Sequence, residues 1–197
     1  MAVSNKKNSR QTPSDPTEAE IGTIRKSGPH RLRVVLVYPN RYSVGMSNLG
    51  YQTVYCLLNR FDGVVCERAF LPDGKTPAEL RMASVESGRP LTEFDIIAFS
   101  VSFENDYPNI LAVLAATGLP LQSRERRDTH PLVIAGGVAC FLNPEPLAPF
   151  IDCFLIGEAE AMLEGFFDCL RDSGYPENQD RRQLLAACAR RARGVYV

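Results

Sequence analysis

The sequence has no apolar stretch near the ~20 residues that span a bilayer. It also has no large excess of either charge and no cysteine pair at the spacing of a metal or redox motif. Its net charge is −1 over 197 residues, so it lacks the basic surplus that displaces counterions from phosphates, and general nucleic-acid binding is not expected. The N-terminus has no apolar core of a secretory signal. These absences exclude membrane, collagenous and wholly disordered classes and favour a cytoplasmic globular protein.

Cysteine and histidine are scattered along the chain. The six cysteines lie mostly within apolar runs, so we interpret them as buried thiols in a reducing compartment. The two histidines, His30 and His130, lie in polar connections. A zinc site, an iron–sulfur site and a histidine-based nucleophilic site are therefore not expected within these residues.

Composition divides the chain into three parts. Residues 1–28 are rich in Ser, Lys, Asn, Thr, Pro and Glu, which predicts a mobile leader because such a segment buries little apolar surface. Residues 29–175 carry the pattern of a folded domain. Residues 176–197 predict a linker helix followed by Gly194-Val195-Tyr196-Val197, which we expect to begin the first strand of a further, downstream domain.

Within residues 29–175, apolar runs alternate with segments whose apolar residues recur at helical spacing. The chain between the first two runs predicts a helix capped by Ser47 or Asn48, and Thr76-Pro77 predicts a helix that ends at Gly88. Pro39 is expected to end the first run. The pattern predicts an α/β fold, a doubly wound parallel sheet of five strands that is flavodoxin-like or Rossmann-like with the order 2-1-3-4-5. The predicted strands are residues 33–38, 64–70, 95–102, 132–135 and 153–156.

In such a sheet, ligands bind beyond the carboxyl ends of the strands. This rule selects the loops at residues 40–48, 100–105, 135–138 and 157–160, which are polar or contain glycine. Each loop also has a purely structural interpretation. In the first loop and the helix after it, Gly45 and Gly50 fit a turn and close helix packing. The serines of the second loop fit local backbone hydrogen bonds, and the two glycines of the third fit a tight turn. In the fourth, Glu158 fits a favourable interaction with a helix dipole.

Several of these segments together resemble the cobalamin-binding-type radical S-adenosylmethionine (SAM) proteins. The resemblance begins with the run from Tyr38 to Tyr55, which contains Gly45-Met46-Ser47-Asn48-Leu49-Gly50. It continues with residues 66–72, 99–104, 135–137, 143–146 and Gly157-Glu158-Ala159-Glu160. It covers about residues 32–197. Each block alone is a weak indication of this family, whereas the blocks taken together are specific for it.

The resemblance implies an N-terminal Rossmann-like domain followed by a radical SAM barrel. In the family, that barrel binds SAM and carries C-x-x-x-C-x-x-C, which ligates a 4Fe–4S cluster. This motif is absent from these 197 residues, so both cofactors are expected only in the downstream domain. No catalytic residue and no metal ligand are assigned within these residues.

Corrinoid-binding relatives carry D-x-H-x-x-G after the first strand. Here that place reads Asn40-Arg41-Tyr42-Ser43-Val44-Gly45, so a cobalt–histidine bond is not expected. If cobalamin binds, its tail is expected beside Ser100, Ser102 and Gly136-Gly137, and its corrin beside residues 42–46. The candidate cofactor-binding residues are Asn40, Tyr42, Gly45, Met46, Ser47, Ser100, Ser102, Glu104, Gly136, Gly137, Gly157 and Glu158.

Two other functions remain open at this point. The loops of an interaction module would bind no cofactor and would pack against the barrel, an RNA or a protein substrate. A free-standing flavodoxin-like regulator is disfavoured, because neither an acidic pair nor a phosphate loop follows the first strand. The sequence predicts neither the substrate nor the reaction.

Overall fold

The fold is built on one six-stranded sheet with helices on both faces. The computed structural model describes residues 20–26, 32–72, 80–177 and 180–197. The strands are β1 (Leu32–Arg41), β2 (Val64–Leu71), β3 (Ile96–Ser100), β4 (Leu132–Gly136), β5 (Cys153–Leu155) and β6 (Val195–Tyr196). The helices are α1 (Tyr42–Met46), α2 (Leu49–Leu58), α3 (Tyr107–Thr117), α4 (Val138–Leu142), α5 (Ala159–Asp172) and α6 (Arg181–Arg191). The sheet order is β2-β1-β3-β4-β5-β6.

The predicted number of strands is wrong by one. The first five strands are parallel, and β6 adds an antiparallel sixth at the edge, with Phe154 opposite Tyr196. The Ile156 N–H also donates to the Gly194 carbonyl at 2.7 Å. The segment that the sequence assigned to a downstream domain thus pairs with this sheet, because β5 otherwise leaves its backbone groups unpaired.

The strands are buried on both sides because each face carries its own helix layer. Val34, Leu36 and Tyr38 of β1 pack in the core beneath α2, α5 and α6. Val35 and Val37, which point to the opposite face, pack in the core beneath α3 and α4. This double burial explains the continuous apolar runs, which an alternating half-exposed strand would not show.

The two helix layers mark the point at which the connections between strands change from one face of the sheet to the other. The chain leaving β1 enters α2 on one face, whereas the chain leaving β3 enters α3 on the other. Since β1 and β3 are neighbours, their carboxyl ends diverge and form a crevice. That crevice is the switch point at which open α/β sheets bind ligands.

Two local expectations are wrong. β1 does not end at Pro39 but continues to Arg41 across a register shift between Tyr38 and Arg41, and such an irregularity accommodates a residue without an N–H. The helix predicted over 76–88 lies partly outside the described residues, and its described part forms a bridge between Ala83 and Pro90. There the Val85 N–H donates to the Arg68 carbonyl at 2.7 Å, along the outer edge of β2.

Part of the predicted leader lies against the domain. Residues 1–19 and 27–31 are outside the described residues, but the Ile24 N–H donates to the Tyr55 hydroxyl at 2.9 Å. The Lys26 ammonium donates to the Val64 carbonyl at 2.6 Å. Glu20 forms an ion pair with Arg68, whose guanidinium also pairs with Glu86 at 2.7 Å. Residues 20–26 therefore pack on α2 and β2.

Candidate functional site

Hydrogen bonds join three of the four predicted loops at the carboxyl edge of the sheet. The Asn48 amide donates to the Ser102 hydroxyl at 3.0 Å, joining the first loop to the second. The Val101 N–H donates to the Gly136 carbonyl at 2.8 Å, joining the second to the third. A Cβ built on Gly136 would lie 3.1 Å from the Leu155 carbonyl oxygen, so the end of β5 is adjacent. The parallel sheet brings the predicted loops together.

In the first loop, the side chains of two candidate residues face the β2 edge of the domain. The Tyr42 hydroxyl donates to Glu20 at 3.0 Å, and the Met46 sulfur accepts from Arg68 at 3.3 Å. A Cβ on Gly45 would lie 2.5 Å from the Phe70 ring, so this glycine allows α1 to pack closely. Tyr42, Gly45 and Met46 thus hold α1 in place.

Two further residues of the first loop have local roles. The exposed Ser47 donates to the Val44 carbonyl at 2.8 Å. Asn48, rather than Ser47, is the cap of α2, because its side chain accepts the Tyr51 N–H at 2.9 Å. Of the two caps that the sequence allowed, the structure selects Asn48.

The backbone of Val101 fills the space expected to receive a cobalamin tail. Gly137 has a φ of +109°, and a Cβ there would lie 2.5 Å from the Val101 carbonyl oxygen. The same oxygen accepts the Ala139 N–H at 3.2 Å. Ser100 is half-buried at the end of β3, and Glu104 is exposed beyond it. The backbones at the ends of β3 and β4 are therefore packed closely against each other.

The fourth loop turns the chain from β5 into α5. Gly157 has a φ of +137°, in the region that favours glycine, and a Cβ there would lie 3.1 Å from the Met162 sulfur. Glu158 is exposed immediately before the first turn of α5, where a negative charge is favourable, and its side chain makes no capping hydrogen bond. The backbone geometry at position 157 therefore accounts for a glycine there, and no ligand is needed to explain it.

One buried aspartate at the switch point was missed. Asp106 is 3% exposed, and its Oδ1 accepts from the Asn40 amide at 2.8 Å and more weakly from Asn109 at 3.4 Å. Its Oδ2 is buried and has no hydrogen-bond partner among the described residues. Burial raises the pKa of this carboxyl. Because Asp106 directly precedes Tyr107-Pro108, its sequence signal is that of an ordinary helix cap, yet its side chain caps nothing.

Large apolar side chains surround this edge and face outward. We call this surface the apolar rim, defined by Leu49, Phe103, Val138, Phe141 and Leu142. Each of these side chains is between 59% and 78% exposed. All five follow the carboxyl end of a strand and lie in the second and third loops or in the helices α2 and α4. A cluster of exposed apolar side chains marks a surface for association.

A groove of about 420 Å³ adjoins the rim between α4 and β6. Its lining is mainly apolar and includes Phe141, Ile156 and Val195. The Tyr196 hydroxyl, which also lines the groove, donates to Glu145 at 2.5 Å, and this bond together with the negative charge raises the pKa of Tyr196. The groove therefore extends the apolar surface toward the edge of the sheet.

Two negative findings concern the described residues alone. Among them, no three His, Cys, Asp or Glu side chains are grouped so that they could hold a metal ion. No helix in the same part of the chain is long and apolar enough to cross a membrane.

The mostly parallel sheet with helices on both faces defines a Rossmann-like α/β domain. Residues 50–197, about three quarters of the chain, match the family of radical SAM proteins, N-terminal. The chain therefore belongs to this N-terminal family of radical SAM proteins.

A relative and the solved structures complete the comparison. A protein of Methanocaldococcus jannaschii described as uncharacterized is 24% identical over 127 residues, which are 64% of this chain. The chain spans only 24% of that relative's length. The search of solved structures found no match.

Proposed function

We propose that this chain is the N-terminal domain of a radical SAM protein and that its apolar rim docks on the downstream catalytic domain, forming one wall of the active site. SAM and the 4Fe–4S cluster belong to that downstream domain in this proposal. The observation that carries it is the rim, whose five large apolar side chains lie at the edge where α/β sheets place their sites. The matched family is N-terminal by description.

The rim has the chemistry of an interface with another part of the same protein. Apolar groups at its centre are accompanied by acidic groups at its border, including Glu104 and Glu145, both of which are exposed. The centre of a protein–protein interface is depleted in charge, and its border is polar. The relative of about four times the matched length supports a large partner within one polypeptide.

Cobalamin, which the family resemblance suggested, is not part of the proposed function. The space beside Gly137 is taken by the Val101 backbone, and Ser102 is already engaged by Asn48. Tyr42 and Met46 are directed toward Glu20 and Arg68. These contacts favour the interaction module over the corrinoid site.

Hydrogen exchange tests the docking. We expect backbone amides of residues 101–106 and 138–143 to exchange at least about tenfold more slowly in the longer protein than in the 197-residue chain, because docking excludes water. Phe103→Glu with Phe141→Glu should abolish the difference. Ile21→Glu is the matched control, since Ile21 is an equally apolar and fully exposed residue that lies outside the rim. Equal exchange in the two lengths of protein would overturn the proposal.

Hydroxocobalamin distinguishes the proposal from the cobalamin alternative. We expect the absorbance spectrum of the corrinoid to stay unchanged on mixing with the 197-residue chain, and the two to separate on gel filtration. Co-elution of one corrinoid per chain with a shifted spectrum would contradict the proposal and favour a cobalamin site.

A further inference from the structure

Two buried thiols meet where α6 packs on α5. Cys169 lies in the last turns of α5 and is 2% exposed, and Cys188 lies in α6 and is fully buried. Their sulfur atoms are 3.3 Å apart. A disulfide has an S–S length of about 2.05 Å, so the two atoms need to approach by only about 1.3 Å to reach bonding distance.

The helix that carries Cys188 packs on the core through two buried side chains and the partly buried Leu185 and Ala187. Leu184 and Cys188 are its buried residues, and they lie one turn apart on the same side. Arg181 anchors the first turn through its bond to Asp152 at 2.6 Å, but no comparable anchor is seen in the described contacts beyond Cys188 except the exposed pair of Arg191 with Asp172. Elements with few buried contacts open locally more often than the core does.

The chain leads directly from α6 to the adjacent groove. After α6 it turns at Gly194 into β6, and Gly194, Val195 and Tyr196 line the groove. A bond across the helix pair would therefore hold α6, and with it β6, against β5. The apolar surface on this side of the domain would then be fixed in place.

We propose that Cys169 and Cys188 are a redox modification site, at which a reversible disulfide staples α6 to α5. The oxidant is a peroxide. The two thiols give up two electrons and two protons, the S–S bond forms, the O–O bond of hydrogen peroxide breaks, and two waters leave. A dithiol reductant restores the two thiols.

Burial sets the speed of this reaction. It raises the pKa of the Cys188 thiol to about 12, so the reactive thiolate is scarce while α6 is docked. Oxidation then proceeds through the transient opening of α6. The site responds to sustained peroxide and resists brief exposure.

Peptide mapping tests the bond itself. The 197-residue chain is treated with graded hydrogen peroxide, blocked with N-ethylmaleimide and digested with trypsin and the glutamate-specific protease Glu-C. Cleavage after Glu164 separates Cys169 from Cys140 and Cys153, and cleavage after Arg171 and Arg182 separates it from Cys188. Each of the two cysteines therefore lies alone in its own peptide unless a disulfide joins them. We expect one linked pair of peptides, lighter by two hydrogens than their sum, that dithiothreitol separates. Sulfinic acid at Cys188, or no linked pair, would overturn the proposal.

Thermal unfolding tests the staple. Closing a loop of about 20 residues should raise the Tm of the oxidised chain by roughly 6–12 °C, and dithiothreitol should reverse the rise. Cys188→Ala and, independently, Cys169→Ala should each abolish the difference between oxidised and reduced protein. Cys66→Ala removes another buried thiol and leaves the pair intact, so this variant should keep the difference in Tm between oxidised and reduced protein. A linked pair with no rise in Tm would contradict the stapling role.

Discussion

The two ends of the sheet each hold a buried aspartate, and the two carboxylates are satisfied to different degrees. Asp152, just before β5, accepts from Arg126 at 3.1 Å and from Arg181 at 2.6 Å. It also accepts the Val133 N–H at 2.7 Å. Asp106, just before α3, has donors on one oxygen alone. Both oxygens of Asp152 are thus paired within the domain, although the Nε of its partner Arg181 is buried without a hydrogen-bond partner among the described residues.

The difference between the two ends lies in the carboxylates themselves. Buried polar groups are almost always paired, since an unpaired one costs about 1–3 kcal/mol. At the carboxyl end the second oxygen of Asp106 lacks a donor among the described residues, and the apolar rim is exposed at the same end. Both features fit a surface that another domain completes.

The largest expected effect on the free energy of unfolding is at Asp152. In Asp152→Asn, the amide removes the charge that compensates Arg126 and Arg181 and turns an N–H toward one of their guanidinium groups. Breaking a buried ion pair in this way typically costs about 3–5 kcal/mol. Urea unfolding of the 197-residue chain should show this loss. A cost below about 1 kcal/mol would show that the Asp152 carboxylate does not compensate the charges of the two arginines.

A smaller loss is expected at Gly137. Its backbone angles, φ +109° and ψ 176°, lie in a region that is almost restricted to glycine, and a Cβ would contact the Val101 oxygen. We expect Gly137→Ala to lower the free energy of unfolding by about 2–3 kcal/mol. Gly165→Ala is the control, because the Cβ there meets open space in the middle of α5 and should stabilise by about 1 kcal/mol. Equal effects would contradict the closed contact between β3 and β4.

A smaller effect, on the pH dependence of stability, is expected at Asp106. The folded state raises the pKa of this carboxyl, so it holds the proton more tightly than the unfolded chain, whose aspartates titrate near pH ~3.9. Stability contributed by the protonated form is therefore lost as the pH rises from about 4 through the folded-state pKa. Asp106→Asn cannot titrate and should lose less stability than wild type between pH 4 and pH 7. Parallel pH profiles of unfolding would show that Asp106 is not desolvated.

Much of the fold was predictable because burial on both faces leaves a plain signal. The apolar runs at residues 33–38 and 132–135 became the middle of the sheet, and Asn48 capped α2 as one of the two predicted caps. The sixth strand was misassigned because two residues, Val195 and Tyr196, carry no information about their partner. Their pairing depends on β5 and not on their own pattern.

The positions of the predicted loops could be read from the sequence, but their contacts could not. The rule for the carboxyl ends of strands selected four loops, three of which are joined by hydrogen bonds in the structure. The glycines of these loops were assigned to a ligand slot, because nothing in the sequence reports a contact such as that of Gly137 with Val101. Asp106 was missed for a similar reason. Its importance lies in its burial and in one unpaired oxygen. Both are features of the folded chain, in which the other oxygen meets Asn40, 66 residues away in the sequence.

The smallest expected effect on stability is at the apolar rim. Phe141 is 64% exposed, so replacing it by glutamate removes little buried surface, and we expect Phe141→Glu to change the free energy of unfolding of the 197-residue chain by less than about 0.5 kcal/mol. Phe99→Ala, at a residue that is 2% exposed in β3, should cost about 3–5 kcal/mol under the same conditions. Urea unfolding of both variants measures the contrast. A loss above about 1.5 kcal/mol for Phe141→Glu would place this side chain in the domain's own core, and the rim would then have no surface to offer a partner.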